Sequence, residues 1–135
     1  MSLEQAIHQR WADNAALSML LPLERFTTGR SAGDEKPYAT MHSLKRRPKL
    51  PTNAGNAAEE VTLYISVWHD DFDLGEQIVE HIQAVFDRAT FNLPDDSAVV
   101  RMREVSMSST HKKDGDWRWK VELLARICAP LDGGT

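Results

Sequence analysis

One histidine and three aspartates occur within five positions, in the segment HDDFD at residues 69–73. Carboxylate oxygens are the ligands that hard cations such as calcium prefer, and an imidazole is a common ligand for other divalent metals. The segment does not match the calcium-binding loop, because no glutamate stands twelfth when counting starts from any of its aspartates. A metal site is therefore one of two interpretations of this segment, and it explains less of the sequence than the second interpretation, a helix start.

A helix start explains the same segment. The apolar spacing that follows it predicts an amphipathic helix at about 74–89. Asp73 stands three residues before Glu76 and is predicted to cap this helix, with Asp70 and Asp71 near the positive end of its dipole. We expect replacement of Asp73 by alanine to cost about 1 kcal/mol. An enzyme built on the segment would instead lose its activity when Asp70 and Asp71 are replaced by alanine.

The remaining residues that could do chemistry form no recognisable constellation. His8, His42, His81 and His111 are scattered, and no H-E-x-x-H pair or phosphate-binding glycine loop occurs. The single cysteine, Cys128, is predicted to be a small buried hydrophobe beyond the last strand. We therefore predict no catalytic residue, no metal, no cofactor and no small-molecule substrate, and the chain is not predicted to be an enzyme.

The composition is that of a globular protein, with 41% hydrophobic and 27% charged residues. The 135 residues fit one domain, predicted to span 1–135 with a core at about 3–128. The net charge of −4 argues against broad attraction to nucleic acids, so at most unspecific DNA contact through a local patch is expected. No secretory signal and no apolar run of ~20 residues occurs, which predicts cytoplasmic synthesis and no membrane contact.

Apolar periodicity predicts an alternation of helices and strands. In chain order the predicted elements are a helix at about 3–20 ended by Pro22, a strand at 37–44, a strand at 59–68, a helix at about 74–89, a strand at 97–110 and a strand at 116–127. A slip in the apolar phase predicts a β-bulge near Arg103, and Asp114-Gly115 predicts a turn before the last strand. The order favours an α+β fold, an antiparallel four-stranded sheet with two helices packed on one face.

The strand at 59–68 has two apolar faces. Its aliphatic residues share one face, while Tyr64 and Trp68 lie on the other. Two outward aromatics predict a second packing layer or a contact with another subunit. Trp117 and Trp119 are in phase with the aliphatic residues of the last strand, which favours core or interface positions over the stacking of bases.

The densest basic cluster comprises Lys45, Arg46, Arg47 and Lys49, within a predicted long loop at 45–60. Three roles remain open for it. The first role is a phosphate-contacting arm of a small nucleic-acid-binding module. The second is a solvated loop without a partner, and the third is a contact for acidic runs such as DDFD on a neighbouring subunit.

Features spread over nearly the whole chain, from Leu3 to Ile127, carry a resemblance to a known family. They are the opening helix, the strand start at Pro37-Tyr38, the strand LYISVWHDD, the amphipathic helix GEQIVEHIQAVF and the final segment DGDWRWKVELLARI. In their order and spacing, the chain resembles the phage tail completion proteins, the tail-to-head joining and tail terminator group of long-tailed phages and prophage-like elements.

The resemblance implies a structural subunit without enzymatic activity. It implies a homo-oligomer, commonly a six-membered ring, that lies in the virion tail at the head-proximal end of the tail tube. There the ring stops tube growth and joins the tube to the head–tail connector, so the tail tube protein and the connector are the expected partners. Tyr64 and Trp68 are then the leading candidates for subunit contact, and the basic loop is a candidate lining of the channel through which DNA passes.

Overall fold

The computed structural model describes residues 2–28, 37–48, 58–93, 98–111 and 115–128, with the backbone alone at positions 2, 28, 43–48, 58, 98 and 100. In chain order the described helices are α1 (Ser2–Asp13), α2 (Ala15–Leu20) and α3 (Phe72–Phe86). The described strands are β1 (Phe26–Thr28), β2 (Tyr38–Pro48), β3 (Ala58–His69), β4 (Phe91–Asn92), β5 (Ala98–His111) and β6 (Trp117–Cys128).

The described strands form one sheet in the order β1-β2-β3-β6-β5-β4. The four long strands β2, β3, β6 and β5 pair antiparallel, whereas the short β1 pairs parallel with β2 at one edge. The α+β class is confirmed, but the predicted counts of four strands and two helices are wrong for the described residues, which form six strands and three helices. The strands β1 and β4 are too short to show an apolar period, so only pairing with a long neighbour reveals them.

The helix predicted at 3–20 is interrupted at Asn14, which separates α1 from α2. Asn14 has an extended backbone (φ −92°, ψ 105°), and its side-chain oxygen accepts a hydrogen bond from the N–H of Leu17. An asparagine side chain competes for backbone donors in this way and favours a new helix start over continuation. The helical region ends before Pro22, as predicted.

Much of the loop predicted at 45–60 is strand. The strand β2 continues to Pro48 and β3 begins at Ala58, so only residues 49–57 of this segment lie outside the described residues. The prediction is wrong at both ends because the backbone of β2 pairs with β3 even where its side chains show no apolar alternation.

The helices cover one face of the sheet, and the core lies between the two layers. The helix α3 packs against β3, β6, β5 and α2. The fully buried aliphatic residues of the central strands are Val61, Leu63, Ile65 and Val67 of β3 and Val121, Leu123 and Ala125 of β6. Trp119 lies in the core, one of its two predicted positions: its ring fills the space beside Gly75, and its Nε1 donates to the Glu76 carboxylate at 2.7 Å.

The last two strands differ from the prediction in detail. The pairing of β5 with β6 skips Val100 and Val105, which gives two bulges. They lie on either side of Arg103, where a single bulge was predicted. Gly115 has a φ of 93°, a conformation that favours glycine, at the predicted turn. Cys128 is the half-buried last residue of β6, so its predicted place beyond the strand is wrong.

Candidate assembly surface

The segment at 69–73 forms the start of α3. Asp71 is the N-cap, since its Oδ1 accepts a hydrogen bond from the N–H of Leu74 at 3.0 Å. Asp73 lies in the first helical turn, so its predicted capping role is wrong. The cap is the residue with extended backbone just before the helix, and that residue is Asp71 (φ −112°, ψ 116°).

His69 is buried behind this cap. Its Nδ1 accepts a hydrogen bond from the N–H of Asp71 at 3.0 Å and lies 3.1 Å from Oδ1 of Asp70. A ring nitrogen that accepts from a backbone donor has no lone pair left for a metal ion. Among the residues that the structure describes, no three His, Cys, Asp or Glu side chains come together as a metal site requires.

A second chemical pattern, which the sequence analysis missed, is GRSAG at residues 29–33, a match to the G-x-S-x-G pattern of hydrolases. In those enzymes the serine follows a strand of the sheet and precedes a helix. Here the motif follows β1, a three-residue edge strand, and Ser31 lies outside the described residues. The described residues therefore do not place the motif between a strand and a helix.

The sheet face opposite the helices is here called the open face. Its described side chains are Tyr38, Thr40 and His42 of β2, Glu60, Thr62, Tyr64, Ser66 and Trp68 of β3, Arg118, Lys120, Glu122, Leu124 and Arg126 of β6, and Arg101, Arg103, Ser106, Ser108 and Thr110 of β5. No helix packs on this face within the described part of the chain. Both predicted contact aromatics, Tyr64 and Trp68, lie on it.

Trp68 sits between an aromatic ring and a cation. Its ring stacks on Tyr38, with centroids 4.9 Å apart and planes inclined by 17°. The guanidinium carbon of Arg118 lies 5.2 Å from the Trp68 ring centroid. Stacking and cation–π contact hold the Trp68 ring in place before any partner arrives, which lowers the entropic cost of binding.

Tyr64 is held in a similar way. The ammonium of Lys120 lies 3.9 Å from its ring centroid, and Glu122 stands directly opposite it on β6. Loss of solvent around the phenol, together with the charge of Glu122 and a hydrogen bond to its carboxylate, raises the pKa of Tyr64 above its usual value. The Tyr64 hydroxyl is therefore neutral and donating over the whole physiological range.

Arg118 is the least satisfied cation of the open face. One of its terminal nitrogens donates to Oγ of Ser66 at a long 3.4 Å, and its Nε is buried without an acceptor among the described residues. A buried donor without a partner costs free energy, and native proteins leave few of them. An anionic group docked on the open face would meet the terminal nitrogens of Arg118, of which one donates the long bond to Ser66.

The basic cluster is only partly placed. The strand β2 includes Lys45, Arg46 and Arg47, and Lys45 pairs with Thr62 of β3. The structure describes the backbone of these three residues and not their side chains. Lys49 lies outside the described residues. The predicted roles of these four residues remain predictions.

The cations of β6 and β5 were not predicted from the sequence to be site residues. Arg118 and Lys120 alternate with Trp117 and Trp119, and this alternation correctly indicated one polar side of β6. The alternation within β6 did not show that its polar side lies beside Tyr64 and Trp68. Those residues become neighbours of Arg118 and Lys120 only because β6 pairs with β3.

The chain matches a family model and two solved structures. A family model described as tail completion protein gp17 matches residues 5–127. A chain of the native gene transfer agent (GTA) virion superposes with a TM-score of 0.72 at 14% identity, covering 95% of this chain and 96% of that one. A second solved chain superposes with a TM-score of 0.56 at 12% identity, covering 93% and 92%. No curated protein sequence matches the chain.

The two kinds of match carry different weight. At such low identity the structural matches show the fold, whereas the family model extends over almost the whole sequence. Among the described helices, none has the length and apolar character needed to cross a membrane. The chain belongs to the tail completion protein gp17 family and is a structural subunit of a phage-like tail.

Proposed function

We propose that the chain forms a ring at the head-proximal end of the tail, stops growth of the tail tube and presents a docking surface to the head–tail connector. The observation that carries this proposal is the match of the tail completion family over residues 5–127. The structural match to a chain of a gene transfer agent virion supports it, because that chain has the same fold within a particle. The subunit is made in the cytoplasm and functions in the virion.

The mechanism is geometric. A contact between two different surfaces of neighbouring subunits closes into a ring when the rotation between them closes. The open face is one of these surfaces, and Tyr64 and Trp68 lie at the contact. Half-buried aromatics that are already held in place are the residues that dominate interface free energies.

The test is tail morphology in cells that produce the particle. Deletion of the gene should leave tails without heads and with uncontrolled length in negative-stain electron microscopy, and the wild-type gene should restore joined particles. Heads joined to tails of normal length in the deletion strain would refute the proposed function.

The double variant Tyr64→Ala/Trp68→Ala should fail to restore joining while remaining folded by circular dichroism. Met19→Ala is the matched control, because Met19 is an apolar side chain that is 85% exposed on the helical side of the molecule. Equal restoration by both variants would remove the two aromatics from the contact and leave the tail function itself in place.

Unspecific DNA contact by the basic cluster is a second proposal. The cluster of Lys45, Arg46, Arg47 and Lys49 would contact phosphates of the DNA in the channel without sequence preference. Replacement of all four by serine should weaken the binding of duplex DNA in a gel-shift assay and reduce its dependence on salt. Unchanged DNA binding would leave the cluster as a solvated segment.

A further inference from the structure

We infer that the open face of one subunit docks on the outer surface of α3 of a second copy of the chain. This inference rests on the proposed ring and names the two surfaces that meet in it. The surfaces lie on opposite sides of the molecule, since α3 covers the sheet face that is opposite the open face. Copies that meet in this way make a heterologous contact, which closes into a ring when the rotation between neighbouring copies closes.

The open face is positively charged among its described side chains. Its cations are Arg101, Arg103, Arg118, Lys120 and Arg126. Its carboxylates are Glu60 and Glu122, and Glu122 is engaged by Tyr64 and by Oγ of Ser106, which donates to it at 3.3 Å. The two cations beside the aromatics, Arg118 and Lys120, have no described carboxylate directly opposite them on β3 or β5, because Ser66, Trp68, Ser108 and Thr110 occupy those positions.

The outer surface of α3 has the opposite sign. Its exposed stripe runs through Asp73, Gln77, Glu80 and Ala84, with Asp70 and Asp71 exposed just before the helix. The sequence from 50 to 87 contains no lysine or arginine, so no cation within this segment neutralises the stripe. Among the described side chains, charge is therefore unevenly distributed, with acid on the helical side and base on the open face.

Charge complementarity of this kind selects and orients a partner. A second copy supplies the acidic surface at the concentration of the chain itself, and a planar guanidinium donates two parallel hydrogen bonds to a carboxylate. Arg118, which lies beside Trp68 and has no described carboxylate directly opposite it, is the cation that we expect to bind such a carboxylate. Docking would also cover Tyr64 and Trp68, which are half-exposed in the free subunit.

The inference is tested by exchanging the charges of the two surfaces. One variant, Arg118→Glu/Lys120→Glu, reverses the open face, and the other, Asp73→Lys/Glu80→Lys, reverses the stripe of α3. We expect each variant alone to lose self-association by at least about tenfold in apparent Kd, because like charges are then juxtaposed. Sedimentation velocity and native mass spectrometry at low salt measure the association, and circular dichroism checks that each variant is folded.

A mixture of the two variants gives the discriminating result. Each variant presents a surface that is complementary to the other variant, so the equimolar mixture should recover wild-type association in alternating oligomers. The matched control Asp13→Lys/Glu24→Lys introduces the same charge change at exposed positions outside α3 and should associate like the wild type. Added salt should weaken the wild type and the mixture alike.

Three outcomes would overturn the inference: variants that associate normally, a mixture that does not recover, or a wild type that stays monomeric at about millimolar concentration and low salt. Loss of duplex DNA binding by the reversed open face, with self-association intact, would assign this face to nucleic acid instead. Each of these outcomes leaves the tail-morphology test of the proposed function independent, because that test measures joined particles and not association in solution.

Discussion

At the scale of single residues, the contact between Gly75 and Trp119 decides how closely α3 approaches the sheet. A Cβ at position 75 would overlap the indole ring, which is fully buried and held by its hydrogen bond to Glu76. We expect Gly75→Ala to destabilise the fold by about 1–3 kcal/mol, although alanine is the better helix former, because overpacking outweighs helix propensity here.

Urea denaturation would measure this effect. Gln77→Ala, on the exposed side of the same helix, is the control and should change the free energy of unfolding by less than about 0.5 kcal/mol. The double variant Gly75→Ala/Trp119→Leu should be less destabilised than the sum of its single variants, since the smaller side chain makes room for the new methyl group. Full additivity would show that the two residues do not interact.

The two neighbouring aspartates at the start of α3 provide a second residue-scale prediction. Asp71→Ala removes the side chain that accepts from the N–H of Leu74 and should cost about 1 kcal/mol of stability. Asp73→Ala removes only a favourable charge in the first turn and should cost about 0.3 kcal/mol. Thermal or urea unfolding of both variants would decide the order, and an equal or reversed cost would contradict the assignment of the cap.

At the scale of elements, α1 packs against β1 through an aromatic contact that includes His8. The ring of His8 lies 4.5 Å from the ring of Phe26, and Trp11 stacks on the same phenylalanine at 4.0 Å. Burial lowers the pKa of His8, and the charge of Glu4 partly offsets this effect. The neutral imidazole is therefore the form that suits the packed helix.

This pKa shift predicts a dependence of stability on pH. Because the pKa of His8 is lower in the folded chain than the ordinary value of 6.5, the unfolded chain binds the proton more readily. The contribution of His8 is complete above pH 6.5 and is lost as the pH falls through the folded pKa. His8→Gln should flatten the decline in melting temperature between about pH 7 and 5.

The neighbouring carboxylate sharpens this test. Glu4 raises the pKa of His8, so Glu4→Gln should lower it further and steepen the loss of stability in acid. Melting temperatures of the wild type and both variants across this pH range provide the measurement. A decline that is the same in His8→Gln as in the wild type would assign the acid sensitivity to other groups.

At the scale of the whole molecule, the sheet separates two environments. One face carries the helices and an aliphatic core, and the open face carries cations beside Tyr64 and Trp68. Among the described side chains the helical side is acidic and the open face is basic, and in the proposed ring this polarity would favour a contact between unlike surfaces over a symmetric pair. The fold thus suits the structural role that the tail completion family indicates.

Some elements could be predicted from the sequence because their signals are local. The strict alternation in β6, the aliphatic period of β3 and the amphipathic spacing of α3 each reflect one buried face, so the pattern alone indicates element type and approximate bounds. The places of Tyr64 and Trp68 on the far side of β3 followed from the same alternation. Proline 22 likewise marked the end of the helical region.

Other features depend on partners distant in the chain. A neighbouring strand determines three features that leave no periodic pattern in the sequence. They are the pairing of β2 beyond residue 44, the short strands β1 and β4, and the two bulges of β5. The choice of Asp71 over Asp73 as the cap depends on which residue keeps an extended backbone where β3 ends. That end is set by the pairing of β3 with β6.

The amino-acid order by itself therefore determined the α+β class, the aliphatic core faces and the outward aromatics, because side-chain periodicity records which face of each element avoids water. Only the tertiary structure decided that Arg118 and Lys120 lie against Trp68 and Tyr64 and that acid and base fall on opposite sides. Residues about fifty positions apart become neighbours through strand register, and register is a property of paired strands and not of either strand alone.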